Sequence, residues 1–133
     1  MAKLNKKILL TGSSGFLGLN LTKVLIRKKY DVYCLYNSKI KKKFNNVKYI
    51  KCNLENYNDI KKKFKNIKFK YVINLAGYGR HDDFKRGGNK IIFNHFLISM
   101  NLANYFLDKK LSKFINIGSS DEYGMNKHPQ KEN

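Results

Sequence analysis

The residues best suited to do chemistry form one run, Thr11-Gly12-Ser13-Ser14-Gly15-Phe16-Leu17-Gly18, directly after the apolar stretch Ile8-Leu9-Leu10. The glycines are spaced G-x-x-G-x-x-G, and each answers a steric need. Gly12 lets a strand turn sharply, Gly15 lets the backbone approach a pyrophosphate, and Gly18 lets the following helix pack against a sheet. Free N–H groups of the turn and the positive end of the helix dipole then face the anion. The alternative is an ordinary glycine-rich loop. It does not explain three glycines set between an apolar strand and an amphipathic helix with Leu17, Leu21, Val24 and Leu25 as its apolar positions.

A second candidate is Leu35-Tyr36-Asn37-Ser38, followed by Lys39, Lys41, Lys42 and Lys43. An acid here would accept hydrogen bonds from the ribose hydroxyls of NAD. Tyr36 cannot do so as a carboxylate would, and the lysines suit a 2′-phosphate. The pattern leans slightly towards NADP over NAD; a solvated lysine-rich loop is the alternative. Cys34 and Cys52 lie in strand-like stretches and read as free buried thiols of a reducing compartment, with no metal-ligand spacing. His81, Asp82 and Asp83 read as solvated loop polarity, His95 as a packed or capping histidine, and His128 as part of a tail.

The elements that must position these residues alternate. Strands are predicted at Lys7 to Thr11, Asp31 to Tyr36, Val47 to Lys51, Tyr71 to Leu75 and Lys113 to Ile117. A helix is predicted from Gly15 to Lys28, and another carries Tyr57, Ile60, Phe64 and Ile67 as one stripe. A longer helix is predicted from Lys90 to Lys110, with Ile91, Phe93, Leu97, Met100, Leu102, Phe106 and Leu107 as its apolar content. Such alternation predicts an α/β, Rossmann-like, doubly wound parallel sheet of about five strands in the order 3-2-1-4-5. Ligands of such a sheet sit at the carboxyl ends of its strands. Residues 1–125 read as one domain and 126–133 as an unstructured tail.

Apolar residues make up 42% of the 133, enough to bury a core. The net charge of +19, from 28 Lys+Arg against 9 Asp+Glu, raises nucleic acid as a partner. Lysine outnumbers arginine 25 to 3, however, and no nucleic-acid-binding signature accompanies the charge. The lysines therefore read as solvated faces, with nucleic acid a remote alternative. No apolar run reaches the length of a signal peptide core or a membrane span, so a cytoplasmic location is expected.

As a set, these motifs resemble those of the extended short-chain dehydrogenase/reductase family, the NAD(P)-dependent epimerases and dehydratases that act mostly on nucleotide sugars. Thr11 to Gly18 is similar to the family fingerprint. Asn53-Leu54 is similar to its adenine-contacting Asp-Leu pair, with Asn in place of Asp. Asn74-Leu75-Ala76-Gly77 is similar to its strand-four motif, and Asn94 to the asparagine on the next helix. Gly118-Ser119-Ser120-Asp121-Glu122-Tyr123-Gly124 resembles its strand-five motif. The resemblance implies a catalytic hydroxyl at Ser119, with Ser120 the alternative. It implies a cofactor site built from Gly12, Ser14, Gly15, Phe16, Leu17, Gly18, Tyr36, Asn37, Lys39, Asn53, Leu54, Leu75, Ala76, Gly77 and Asn94.

The family's catalytic Tyr-x-x-x-Lys lies on a helix after strand five, where the lysine lowers the tyrosine pKa. Three such strings occur here, Tyr57/Lys61, Tyr105/Lys109 and Tyr123/Lys127. The first two precede strand five and the third lies in a glycine-containing loop, so none is assigned the role. The expectation is a cofactor-binding part without its substrate domain, inactive alone and completed by a partner protein or by nothing. The alternative is a non-catalytic dinucleotide-binding or interaction module, recruiting a partner through an exposed strand five.

Overall fold

The computed structural model describes residues 6–40, 42–77 and 93–118. Residues 126–133, expected as a tail, lie outside them, as do Ser119 and Ser120, Tyr123/Lys127, His81, Asp82, Asp83, His128 and Lys41.

Five strands form one sheet: β1 (Lys7–Leu10), β2 (Asp31–Tyr36), β3 (Val47–Lys51), β4 (Tyr71–Asn74) and β5 (Lys113–Asn116). Their order is β3-β2-β1-β4-β5, and every pairing is parallel, as expected. Among the described residues three α-helices cover it: α1 (Phe16–Arg27), α2 (Tyr57–Phe64) and α3 (Ile98–Phe106), the last preceded by a π-helical turn, Phe93–Leu97. Because β1 pairs with β2 on one side and β4 on the other, the strand order reverses there. A crevice opens at such a reversal.

Side chains alternate along the strands and feed two apolar layers. Ile8, Leu10, Val32, Cys34 and Ile73 pack with Leu25 of α1. Leu9, Tyr33, Leu35 and Val72 pack on the other face with Ile60 and Phe64 of α2 and Ile98, Leu102 and Phe106 of α3. This second layer is aromatic: Phe69 meets Tyr33 and Phe64 edge to face, with centroids 5.2 and 5.6 Å apart. The α2 stripe matches expectation, with Ile60 and Phe64 fully buried. Asn56 starts that helix by accepting from the N–H groups of Asn58 and Asp59 at 3.0 and 3.2 Å.

Two helices differ from expectation. In α1 the buried residues are Gly18, Thr22 and Leu25, while Leu17 is 59% exposed and Val24 is exposed too. Close approach decides this: a Cβ at Gly18 would collide with the Gly12 carbonyl and the Ser13 backbone. Thr22 turns inward because its hydroxyl donates to the Gly18 carbonyl at 2.7 Å, so its polarity is satisfied within the helix. The expected single helix from Lys90 is instead the π-helical turn followed by α3, with Lys90 to Ile92 outside the described residues. Phe93, Met100 and Leu107, expected as apolar content, are exposed, whereas Asn101 is buried. The π-helical turn breaks the regular helical register, so Phe93 within it falls off the face that α3 presents to the sheet.

Candidate functional site

The chain leaves β1 through Thr11 and reverses at Gly12, whose φ of +62° suits glycine. A Cβ at Gly12 would also strike the backbone of Leu75 and Ala76, so the turn fits against the end of β4 only without a side chain. Thr11 ties the two ends together. Its Oγ1 accepts from the N–H groups of Leu75 and Ala76 at 3.1 and 3.0 Å and is hydrogen-bonded to Asn74 Oδ1. Asn74 Nδ2 donates to Asn116 Oδ1 at 2.7 Å and to Ser99 Oγ at 3.3 Å, extending the network to β5 and α3.

Gly15 precedes α1 in extended backbone, its N–H donating to the Gly12 carbonyl at 3.1 Å. No side chain caps the helix and its first turn holds no acid. The leading amides of α1 are thus unsatisfied by the helix itself, and the positive end of its dipole is uncancelled. Such an end favours an anion.

Above the turn lies a cleft of about 350 Å³ lined by Gly12, Ser14, Gly15, Asn37, Glu55, Leu75, Ala76, Gly77, Asn94 and Ile98. A narrower part of about 140 Å³ adds Leu35, Tyr36, Cys52 and Leu54 and shares Gly12, Ser14, Asn37, Ala76 and Ile98. The structure therefore brings together Gly12, Ser14, Gly15, Tyr36, Asn37, Leu54, Leu75, Ala76, Gly77 and Asn94 from separate segments of the chain. Phe16 and Leu17 lie outside the cleft, exposed on α1, and Gly18 serves helix packing. Lys39 is exposed and lines neither part. Lys42 lines a separate crevice beside Tyr36 of only about 10 Å³, room for one water at most. Asn53 is folded into its own loop: its N–H donates to Asp59 at 2.8 Å and its Oδ1 accepts from the Glu55 N–H at 3.0 Å.

Three residues of the cleft and its support carried no signal in the sequence reading. Ile98 and Glu55 line it, and buried Asn101 donates to the carbonyls of Leu54 and Glu55 at 2.9 and 3.2 Å. An asparagine between Ile98 and Leu102, on the apolar side of a helix, is the pattern that marks such a clamp. Gly77 lies against the exposed His95 imidazole, which a Cβ at that position would strike.

Neither described Tyr-x-x-x-Lys pair lines the cleft. Lys61 and Lys109 place their ammonium groups over the rings of Tyr57 and Tyr105, 5.1 and 5.3 Å from the centroids. Burial, and next to it Tyr57, pushes the Tyr105 hydroxyl above its ordinary pKa of 10.0, the direction opposite to a poised tyrosinate. The thiols are equally quiet. Both cysteines are free and buried. Burial raises Cys34 against the opposing hydrogen bonds of Thr22 and Ser13. Burial and Asp59 push Cys52 up to about 12. Among the described residues no group of three metal-ligating side chains is assembled, and no helix is long and apolar enough to cross a membrane.

A family model described as the NAD dependent epimerase/dehydratase family matches residues 8–133. The chain is 32% identical over 117 residues to CDP-abequose synthase of Yersinia pseudotuberculosis, covering 88% of this chain and 41% of that protein. It is 32% identical over 136 residues to dTDP-D-glucose 4,6-dehydratase of Dictyostelium discoideum, covering 90% of this chain and 30% of that one. An epimerase structure from Methanothermobacter thermautotrophicus superposes with a TM-score of 0.83 at 24% identity, over 96% of this chain and 40% of that one. The chain spans less than half the length of each of these relatives.

Proposed function

Because the chain belongs to the NAD dependent epimerase/dehydratase family, we propose that it binds a dinucleotide across the carboxyl ends of β1, β2 and β4. The observation that carries this is Gly12, held at positive φ under the Leu75–Ala76 backbone where the strand order reverses, with the uncapped end of α1 beside it. The residues fit the group. Gly12, Ser14 and Gly15 would hold the pyrophosphate, Tyr36, Asn37 and Leu54 the adenosine half, and Ala76, Gly77 and Asn94 the nicotinamide half. When bound, NAD supplies a hydride acceptor and donor. The family is described as NAD dependent, and the matches lend nothing to the lean towards NADP.

The substrate class is a nucleotide sugar, the chemistry in the names of both curated relatives. Ser119, or Ser120 beside it, would hydrogen-bond a sugar oxygen, since it follows Asn116 at the end of β5 by three positions. Among the described residues neither Tyr-x-x-x-Lys pair could serve catalysis, since Tyr57 and Tyr105 line no part of the cleft and Tyr105 is shifted away from ionisation; on this reading these 133 residues bind cofactor without turning over substrate. A tyrosine–lysine pair on a further segment, of the same chain or of a partner protein, would complete the reaction. Among the described strands β5 is at the sheet edge, and the exposed Ile115 and Ile117 beside it would offer an apolar surface to such a segment.

The test is calorimetric titration of NAD into the chain and into Gly15→Glu. A Cβ at Gly15 meets only the Gly12 carbonyl oxygen, at an ordinary 3.4 Å, so the fold is retained while a negative charge enters the anion site. NAD affinity is expected to fall about tenfold or more at unchanged melting temperature. Equal affinity in the two proteins would overturn the site.

A further inference from the structure

An adenosine ribose brings two vicinal hydroxyl donors into the cleft, and they need an acceptor. The end of β2, about twenty residues after the glycine turn, is where an acid usually accepts them. Here it offers Tyr36 and Asn37. Among the described residues that line either part of the cleft there is a single carboxylate, that of Glu55, and it lines the wider part together with Asn37, Ser14 and Gly12, all three of which also line the narrower part.

Glu55 comes from the loop between β3 and α2, and that loop is held at both peptide groups of the residue. The Glu55 N–H donates to Asn53 Oδ1 at 3.0 Å, and its carbonyl accepts from Asn101 Nδ2 at 3.2 Å. The same Asn101 amide grips the preceding Leu54 carbonyl at 2.9 Å. Asp59, bonded to the Asn53 N–H, and Asn56, capping α2, fix the loop on either side. The backbone bonds occupy the Asn53 oxygen, and among the described residues none engages the Glu55 carboxylate.

On the dinucleotide reading above, we propose that Glu55 is the acceptor for the adenosine ribose hydroxyls and the residue by which the cleft rejects a 2′-phosphate. A carboxylate accepts from both hydroxyls through its two oxygens. A phosphate at the 2′ position would bring a further negative charge against it and lose the donor. The described lysines of the segment after β2, Lys39, Lys42 and Lys43, line neither part of the cleft, and the crevice that Lys42 lines is about 10 Å³, too small for a phosphate group.

NAD and NADP are titrated into the full chain, Glu55→Gln and Glu55→Lys, with circular dichroism and melting temperature as controls for folding. Glu55 is exposed and its recorded bonds are through its backbone, so both variants retain the loop. The unmodified chain is expected to prefer NAD. The NAD-to-NADP affinity ratio should fall about tenfold in Glu55→Gln and reverse in Glu55→Lys, as for a lost charge-assisted bond. If NAD binds but the ratio is the same in all three proteins, the Glu55 assignment is overturned and the dinucleotide site stands. A preference of the unmodified chain for NADP would also overturn it. Binding of neither cofactor to any of the three would overturn the dinucleotide site and this assignment together.

Discussion

The two faces of the sheet are built on different principles. Against one face α1 presents Gly18, Thr22 and Leu25, two small residues and one large, and backbone approaches backbone at Gly12 and Gly18. Against the other, α2 and α3 present Ile60, Phe64, Leu102 and Phe106, with Phe69 and Tyr105 completing an aromatic cluster. A helix that must bring its N-terminus over the glycine turn has to lie close, which large side chains forbid. Helices with no such duty can separate from the sheet and fill the space with rings. One face is shaped for position, the other for stability.

Truncating the aromatic face should have the largest effect on stability. Phe64→Ala removes a ring with no exposed surface and is expected to cost about 3–5 kcal/mol in chemical denaturation. The comparison fails if this loss is no greater than that of a single residue on the α1 face. Gly18→Ala should be milder in stability, roughly 1–3 kcal/mol, because the backbone atoms it would strike cannot rotate away. Its signature lies elsewhere: NAD affinity should drop with it, as α1 is pushed off the turn. A Gly18→Ala protein that is destabilised yet titrates NAD normally would show that α1 packing and the anion site are independent.

The two cysteines sharpen the contrast, since one lies in each layer. Cys52, against the aromatic face, is raised from 9.0 to about 12, while Cys34, beside α1, has its upward shift opposed by the Thr22 and Ser13 hydroxyls. A thiol whose pKa is raised on folding holds its proton when the unfolded chain has lost it. Stability it lends is therefore complete below pH 9 and is lost as pH rises towards 12. Between about pH 9 and 10 the loss through Cys52 should be about 1 kcal/mol. Measured as the difference from wild type, Cys52→Ala should abolish more of this alkaline slope than Cys34→Ala. The reverse order would mean that the α1 layer is the drier of the two.

The local order of this fold was legible in the chain. Strand β2 runs over Asp31–Tyr36 and β3 over Val47–Lys51, the spans that the apolar strand-like runs predict, and the G-x-x-G-x-x-G turn lies where strand gives way to helix. Parallel pairing and the order 3-2-1-4-5 follow from alternation and right-handed crossovers. Those signals live within short stretches of neighbouring residues, so the sequence alone determines them.

What only the tertiary structure decided depends on contacts between distant segments. A helical apolar pattern fixes the inward face to within a residue or so, at about 100° each, and the collision at Gly18 then selected Thr22 over Leu17 and Val24. The clamp from Asn101 to the loop of Leu54 and Glu55 spans 46 residues, and no spacing rule reaches so far. The meeting of Glu55 with Asn37 and Gly12 in one cleft is of the same kind. Pattern records which residues prefer burial; which of them meet is set by the closest approach of backbones, and that is a property of the folded chain.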